Sequence, residues 1–233
     1  MTPYKLAPWW DLPWLVYDLE TTGLDIETAH VVQIGLVKMV RGEVTARKDI
    51  LVRPPIDIPE EATKIHGITN AMVADAMCET EALGRMQKAL ASHHGALVNY
   101  NGFNYDDEIL VARAGNSFFA DVGVKPRVDL LTIIRSRAIG QRWPGKGRHK
   151  LSSVAGRFRI ELGDDDRLHW ATSDCVLTGK ILWHLVNDSA YKAVKKLPPD
   201  YGVTAALQAL AAKQQAEFDA WLAKQPPLPK EGL

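Results

Sequence analysis

Residues 14–23 read WLVYDLETTG, and this stretch decides the fold class. It begins as a short apolar run and is closed by turn-forming residues, which predicts a buried β-strand. Side chains two positions apart in a strand point to the same side of the sheet, so Val16, Asp18 and Glu20 share one face. The sequence therefore places two carboxylates side by side at the end of an otherwise apolar strand.

This carboxylate pair needs a positive charge from elsewhere in the structure. Two like charges about 4 Å apart repel by about 4 kcal/mol at an effective dielectric constant of 20, and burying an unpaired carboxylate adds to that cost. No Lys or Arg lies between Lys5 and Lys38 to neutralise the pair locally. We expect a cation between Asp18 and Glu20. The alternative is a solvated strand end that carries two acids by chance.

Working outward from this strand, β-branched residues predict two more strands at 31–40 and 43–52, joined by a hairpin at Arg41 and Gly42. A β-meander followed by alternating helices and strands predicts an α/β fold: a mixed β-sheet flanked by helices. The remaining patterns indicate a fourth strand at 96–100 and helices at 59–65, 69–76, 79–93, 106–114, 129–137, 151–158 and 168–186.

The same patterns suggest a domain organisation. We expect an N-terminal extension at 1–13, a main domain at 14–190, and a C-terminal extension at 191–233 made of a linker, a helix and a Pro-rich tail. The C-terminal helix carries a rough apolar stripe, which predicts that it packs onto its own domain or, alternatively, against a partner. The stripe consists of Val203, Leu207, Leu210, Phe218 and Trp221.

The composition is that of an ordinary globular protein. With 46% hydrophobic and 24% charged residues, the chain of 233 residues is neither disordered nor fibrous, and two cysteines do not make a disulfide scaffold. No run of about 18 apolar residues predicts a membrane span, and the first residues lack the layout of a signal peptide. We therefore expect a cytoplasmic protein, in its own cell or that of a host, that is not secreted and keeps its thiols reduced.

Basic residues are concentrated in one region, although 28 basic and 28 acidic residues cancel overall. Residues 130–160 contain no Asp or Glu, but they include Trp143 and eight basic side chains. Such a cluster is typical of a surface that follows nucleic-acid phosphates and stacks one base. The alternative is a solvated basic loop and helix face. In the loop, Arg142, Lys146 and Arg148 are the candidates for contact with a nucleic-acid backbone.

A second acidic site lies where the fourth strand runs into a helix, in residues 99–108, NYNGFNYDDE. Asp106 and Asp107 both stand at the predicted helix start. Acids at this place commonly cap a helix or complement its dipole, a contribution of about 0.3–1 kcal/mol. Either residue could instead be a metal ligand.

A third site lies in residues 168–174, LHWATSD. Asp174 falls on the apolar stripe of Leu177 and Ile181, so it faces the sheet and requires a metal or cationic partner. His169 lies five positions earlier, about 140° around a regular helix, and reaches the same centre only if it precedes the helix or sits at its frayed start. A mobile position there suits a group that collects and releases a proton.

Carboxylates from a strand, a helix start and a late helix form a hard oxygen site for Mg²⁺ or Mn²⁺. The absence of thiolates or clustered imidazoles argues against zinc. Two such ions about 3.5–4 Å apart stabilise the attacking and leaving oxygens of an in-line phosphoryl displacement.

Three segments together resemble a known family. The sequence VYDLETTGL at 16–24, the Asn101-x3-Tyr105-Asp106 element and the His169-x4-Asp174 element are similar, in order and spacing, to the three exonuclease motifs of the DEDDh family. These are the DnaQ-like 3′→5′ exonucleases of ribonuclease H-like fold, which include polymerase proofreading subunits. The sequence KIHGIT at 64–69 resembles the segment that lines their terminal-nucleotide pocket. The histidine subclass fits, because Trp170 occupies the place where the tyrosine subclass would need Tyr.

The resemblance implies a role for each matching residue. Asp18, Glu20 and Asp174 would hold a first metal ion, Asp18 would bridge to a second, and Asp106 would support the second through water. His169 would be the general base that takes a proton from the attacking water. The 3′-terminal nucleotide would lie among Thr21, Thr22, Leu24, His66, Ile68 and Asn101, with Leu24 and Ile68 wedged against its base.

The implied function is a two-metal 3′→5′ exonuclease that releases nucleoside 5′-monophosphates, with single-stranded DNA ends as the favoured substrate. RNA 3′-end trimming, a proofreading subunit that joins a polymerase through the C-terminal helix, and a non-catalytic nucleic-acid-binding module are the alternatives. The sequence of the second motif is more similar to that of single-strand-specific exonuclease I, whereas the sequence of residues 64–69 is more similar to that of proofreading subunits. The choice between Asp106 and Asp107 as ligand stays open.

Overall fold

The computed structural model describes residues 7–140, 143–163, 166 and 168–224. It contains a six-stranded mixed sheet with strand order β4-β3-β2-β1-β5-β6. The first three strands form an antiparallel meander, while β5 is parallel to β1, β6 to β5 and β4 to β3. The predicted α/β class with a mixed sheet is confirmed. The strands are β1 (Trp14–Thr21), β2 (Val31–Val40), β3 (Glu43–Arg53), β4 (Met77–Cys78), β5 (Ala96–Asn99) and β6 (Arg127–Asp129).

Helices flank the sheet and extend beyond it. They are α1 (Glu60–His66), α2 (Asn70–Val73), α3 (Glu79–Ser92), α4 (Asp106–Ala114), α5 (Phe118–Val122), α6 (Leu130–Ile134), α7 (Leu151–Arg157), α8 (Ala171–Asn187) and α9 (Gly202–Leu222). Short 3₁₀ turns lie at Trp9–Asp11, Gly102–Asn104, Ser189–Tyr191 and Val194–Lys196.

The two faces of β1 belong to separate cores. Val16 is fully buried in a cluster that includes residues of α8, whereas Leu15 and Tyr17 are buried in a second cluster built on α3 and α4. Because strand side chains alternate, Asp18 and Glu20 lie on the Val16 face, toward α8. The helix that carries Asp174 therefore covers the face that carries the two acids.

A glycine lets α8 approach this face. Gly35 of β2 is paired with Asp18, and a Cβ at this position would lie 2.4 Å from the carbonyl carbon of Ala171. No larger residue fits without moving the start of α8 away from the sheet. Gly35 thus brings the first turn of α8 to the part of the sheet where Asp18 lies.

Three short elements were not predicted from the sequence: β4, β6 and α5. A strand of two or three residues has no readable alternation, and β6 is a strand because it pairs with β5. The predicted helix at 129–137 is shorter, as α6, and Asp129 caps it as expected by accepting a hydrogen bond from the Thr132 N–H. The predicted helix at 168–186 begins only at Ala171.

Residues outside 14–190 contribute to the main core. Trp9 and Val203 are fully buried in the same cluster as Val16, so the described parts of the predicted extensions contribute to the core of the domain. The C-terminal helix is divided: its first half packs on the core, while Phe218 and Trp221 are exposed. Among the described residues, no helix is both long and apolar enough to cross a membrane.

Candidate active site

Three carboxylates converge above β1. Asp18 and Glu20 of β1 and Asp174 of α8 each offer an oxygen, and these oxygens lie within 4.8 Å of one another. Asp174 Oδ1 is buried and has no hydrogen-bond partner. An all-oxygen donor set with one buried, unpartnered oxygen fits a hard divalent cation.

Burial and mutual repulsion make it unfavourable for all three carboxyl groups of the cluster to be ionised together. Burial raises the pKa of Asp18 well above its ordinary value, and the carboxyls of Asp106, Asp174 and Glu20 raise it further. Burial and then Asp174 raise the pKa of Glu20 to about 8. Burial raises the pKa of Asp174 to about 6 against the opposing effect of His169. In the part of the chain that the structure describes, no Lys or Arg forms an ion pair with these carboxylates.

Asp106 and Asp107 occupy different surroundings at the start of α4. Asp106 is buried, and its charge is the largest carboxylate contribution to the raised pKa of Asp18. Asp107 accepts a hydrogen bond from Tyr17 Oη (2.6 Å) and forms an ion pair with Arg127. Tyr17 lies on the opposite face of β1 from Asp18. Asp107 therefore interacts with a residue of one face of the sheet and Asp106 with a residue of the other. The geometry favours Asp106 as the carboxylate that faces the cluster.

His169 lies just before α8, as its spacing from Asp174 requires. It is exposed and has a positive φ of 58°. Its backbone donates a hydrogen bond to the carboxyl group of Asp174. The imidazole is therefore placed beside the cluster on a short segment outside the helix.

Two polar residues that the sequence analysis missed hold the start of α8. Asp49 of β3 accepts hydrogen bonds from Thr172 Oγ1 (3.0 Å), Gln33 Nε2 (2.6 Å) and the Trp170 indole. Gln33 Oε1 in turn accepts from the Ala171 N–H (3.1 Å). Gln33 is fully buried, and a glutamine within the apolar run of β2 was the one sequence signal for this network.

A second tether lies on the other side of His169. Arg47 of β3 donates to Asp166 at 2.6 Å, and Ser173 Oγ donates to the same carboxylate at 3.2 Å. Since Asp49 holds Trp170 and Arg47 holds Asp166, β3 fixes the chain on both sides of the histidine.

Three predicted nucleotide contacts, Thr21, Thr22 and Leu24, lie at the C-terminal end of the first motif. Thr21 Oγ1 and Tyr105 Oη are 2.6 Å apart, a contact that joins the first motif to the second. Thr22 Oγ1 accepts from the His30 N–H (3.0 Å). Leu24 is 84% exposed and has no role in the core, so its side chain is available for contact with a ligand.

The remaining predicted contacts differ in accessibility. His66 is buried, its Nδ1 accepts from the Ile68 N–H (3.0 Å), and burial lowers its pKa. Ile68, predicted to wedge against a base, has its side chain fully buried in a third core cluster with Val32. Asn101 has a φ of 68°, and its N–H donates to Asp129 Oδ1 (3.1 Å), which fixes the turn before Asp106.

Of the three predicted backbone-contact residues, Lys146 is exposed, Arg148 is half-buried, and Arg142 lies outside the described residues. Arg148 Nε has no hydrogen-bond partner. Tyr100 Oη donates to the His149 carbonyl (2.5 Å), which attaches this basic loop to the end of β5.

Comparison with known proteins gives a consistent result. The profile of an exonuclease family, RNase_T, matches residues 15–182. The chain is 26% identical over 194 residues to the DNA polymerase III subunit epsilon of Aquifex aeolicus, covering 80% of this chain and 90% of that protein. It is 28% identical over 177 residues to the PolC-type DNA polymerase III of Latilactobacillus sakei, covering 76% of this chain but only 11% of that much longer protein.

The fold is also found among solved structures. E. coli exonuclease I in complex with a dA16 oligonucleotide superposes with a TM-score of 0.63 at 17% identity, over 79% of this chain and 43% of that one. The family match covers well over half of the sequence. The protein therefore belongs to the exonuclease family of DnaQ-like proteins with a ribonuclease H-like fold.

Proposed function

We propose that this protein is a metal-dependent 3′→5′ exonuclease that removes nucleoside 5′-monophosphates from single-stranded DNA ends. The observation that carries the proposal is the convergence of Asp18, Glu20 and Asp174 oxygens within 4.8 Å. Like charges this close together at half-buried positions are tolerable only with a cation among them. Membership of an exonuclease family supports phosphodiester hydrolysis as the chemistry of that site.

The acidic residues would hold two Mg²⁺ or Mn²⁺ ions. Asp18, Glu20 and Asp174 would hold the first ion, and Asp18 and Asp106 would hold the second. When bound, the ions stabilise negative charge on the attacking and leaving oxygens of an in-line displacement. The chain's own contribution is to fix these carboxylates on β1, α4 and α8.

His169 acts as the general base. Its exposure lets it exchange protons with solvent, and the two tethers to β3 fix the chain on either side of it. It takes a proton from the attacking water, a role for which an imidazole is suited near neutral pH. The leaving 3′-oxygen remains on the shortened strand, and the released nucleotide keeps the 5′-phosphate.

Single-stranded DNA is the favoured substrate because the structurally similar exonuclease I binds a dA16 oligonucleotide. Exposed Leu24 and the neighbouring Thr21 and Thr22 would contact the terminal nucleotide without reading its base. A role as a polymerase proofreading subunit is the second candidate, because the chain spans 90% of the Aquifex aeolicus epsilon subunit.

Degradation of matched 5′-labelled DNA and RNA 20-mers tests the proposal. With Mg²⁺ or Mn²⁺ we expect a ladder that shortens from the 3′ end, release of 5′-monophosphates, faster loss of DNA than of RNA, and no reaction with EDTA. His169→Ala should slow the reaction while retaining metal binding by calorimetry, and Asp57→Asn, at an exposed acid outside the cluster, serves as the matched control. Cleavage that persists in EDTA, or products shortened from the 5′ end, would refute the assignment.

A further inference from the structure

A basic cleft lies between the loop at 145–150 and the C-terminal half of α9. It has a volume of about 830 Å³. Its side chains combine positive charge with two aromatic rings and include Arg135, Lys146, Arg148, Lys150, Phe218 and Trp221. The C-terminal part of α9 lies outside the segment matched by the exonuclease family, which ends at residue 182.

The lining of this cleft carries an excess of positive charge. Within the described ranges, none of the four basic side chains forms an ion pair with a carboxylate. Glu217 is the one acid among the lining residues, and Arg148 Nε is buried with no hydrogen-bond partner. Four cations facing one anion favour a polyanionic ligand.

The aromatic pair is placed for contact with a ligand and not for core packing. Phe218 and Trp221 are 53% and 55% exposed, and their rings stack with centroids 5.8 Å apart at 27°. The buried residues of α9 lie earlier, at Val203, Leu207 and Ala211. Exposed, nearly parallel rings present flat faces, which nucleobases match and carboxylate side chains do not.

The cleft is connected to the active site through one segment. Its loop is held by Tyr100 through the His149 carbonyl, and α9 contacts the turn at Gly102–Asn104. Both contacts fall on the stretch that leads into Asp106. The loop and α9, which line the cleft, are therefore both attached to the segment that carries Asp106.

We propose that this cleft is a distal binding site for internal nucleotides of the single-stranded substrate. Lys146, Arg148 and Lys150 contact its phosphates, and Phe218 and Trp221 stack on its bases. This inference rests on the proposed exonuclease function and adds that binding strength depends on the length of the strand. A trinucleotide at the active site gains little from the cleft, whereas a 20-mer can occupy both places.

The test is fluorescence anisotropy with 5′-fluorescein dT3 and dT20, in EDTA so that no cleavage occurs. For Phe218→Ala/Trp221→Ala we expect the ratio of dT20 to dT3 affinity to fall about tenfold, because stacking on two rings is lost. Phe218→Tyr/Trp221→Phe keeps both rings and should restore the ratio. Tyr201→Ala, an exposed aromatic at the other end of α9, is the matched control.

A second pair of variants tests the charges. Lys146→Ala/Lys150→Ala should reduce the slope of log affinity against log salt for dT20 by about 1.4, the value for two lost phosphate contacts on a single strand. Lys88→Ala/Lys192→Ala removes two exposed lysines elsewhere and should leave the slope unchanged.

The inference is overturned if the aromatic variant binds dT20 as wild type does, or loses dT3 and dT20 affinity by the same factor. It is also overturned if poly-L-glutamate competes with dT20 as well as unlabelled dT20 does, which would indicate an acidic protein partner. Failure of the exonuclease proposal is distinguishable: wild type would then degrade neither length but would still show the ring-dependent preference for dT20.

Discussion

Asp106 and Asp107 are neighbours in the chain, yet their carboxylates lie in different electrostatic surroundings. Asp107 lies beside Arg127, which forms an ion pair with it, and beside the hydroxyl of Tyr17. Arg127 is held in place by the ring of Phe119, 3.6 Å from its guanidinium carbon. Burial raises the pKa of Asp107, while Arg127 and Tyr17 act in the opposite direction.

On the other side of the sheet, Asp106 faces Asp18 and Glu20, and no described Lys or Arg forms an ion pair with any of the three. Burial and neighbouring carboxylates raise the pKa of both Asp106 and Asp18 well above its ordinary range. The Asp107 charge is compensated by Arg127, whereas the Asp106 charge belongs to the cluster that we propose binds metal. The comparison teaches that the partner of a buried carboxylate, and not its burial alone, separates a structural role from the proposed metal-binding role.

The sharpest test of this difference is Asp18→Asn. We expect activity to fall at least about a thousandfold, because the shared metal ligand is lost. The metal-free variant should melt higher than metal-free wild type, since repulsion within the cluster is relieved. Activity assays and thermal melts in EDTA measure both effects, and a lower melting temperature would argue that Asp18 is a structural group.

Asp107→Ala should have the opposite consequence. Arg127 would be left buried without a partner, which costs about 3–5 kcal/mol of unfolding free energy. Urea denaturation measures this loss. The double variant Asp107→Leu/Arg127→Met removes both charges and should recover much of the stability, and a double variant no more stable than the single one would contradict the ion-pair explanation.

The next test is the pH dependence of the unfolding free energy, to which Glu20 and Asp174 of the carboxylate cluster should contribute. The folded-state pKa of Glu20 is about 8, above its ordinary value of 4.5, and that of Asp174 is about 6, above 3.8. For an acid with a raised pKa, the stabilising contribution is complete below the ordinary pKa and is lost as pH rises through the folded value. Metal-free protein should therefore lose stability as the pH rises from roughly 4 to 8.

Two additions to the pH series identify the source of that loss. Saturating Mg²⁺ should flatten the stability curve because it binds the ionised carboxylates. Glu20→Gln should remove the part of the slope at the highest pH, whereas Asp57→Asn should not. A slope that persists in Glu20→Gln would mean that other groups titrate.

The smallest expected effect is that of Asp49→Asn, which weakens the network holding Trp170 and Thr172 beside His169. We expect kcat to fall about tenfold, equal to about 1.4 kcal/mol in the barrier, with KM nearly unchanged. The metal affinity of the Asp18 and Glu20 pair should be retained. Steady-state kinetics at several pH values measures the change, and an unaltered kcat would show that β3 does not position the histidine.

Much of the arrangement of the carboxylates and His169 could be predicted from the sequence, because it depends on local periodicity. Alternation along β1 placed Asp18 and Glu20 on one face, and the helical stripe placed Asp174 toward the sheet. The distance between His169 and Asp174 required the histidine to precede the helix, and it does. The order of the three motifs pointed to the correct family.

Other features depend on contacts between distant parts of the chain. Nothing local distinguishes Asp106 from Asp107, because the choice is made by Arg127, twenty residues away. Ile68 looked available for a base but fills a core pocket with Val32, since burial is decided by neighbours that fold against it. The Asp49 network joins residues more than 120 positions apart.

The sequence by itself determined the four longer strands, most of the helices and the face on which Asp18, Glu20 and Asp174 lie, because these follow from the 2-residue and 3.6-residue periods of strand and helix. Only the tertiary structure decided which carboxylates have a cation within the protein and which do not. It also decided that α9 packs at Val203 and leaves Phe218 and Trp221 exposed beside a basic loop. The physical reason is that charge compensation and exposure are properties of neighbours in space, which a chain acquires only when it folds.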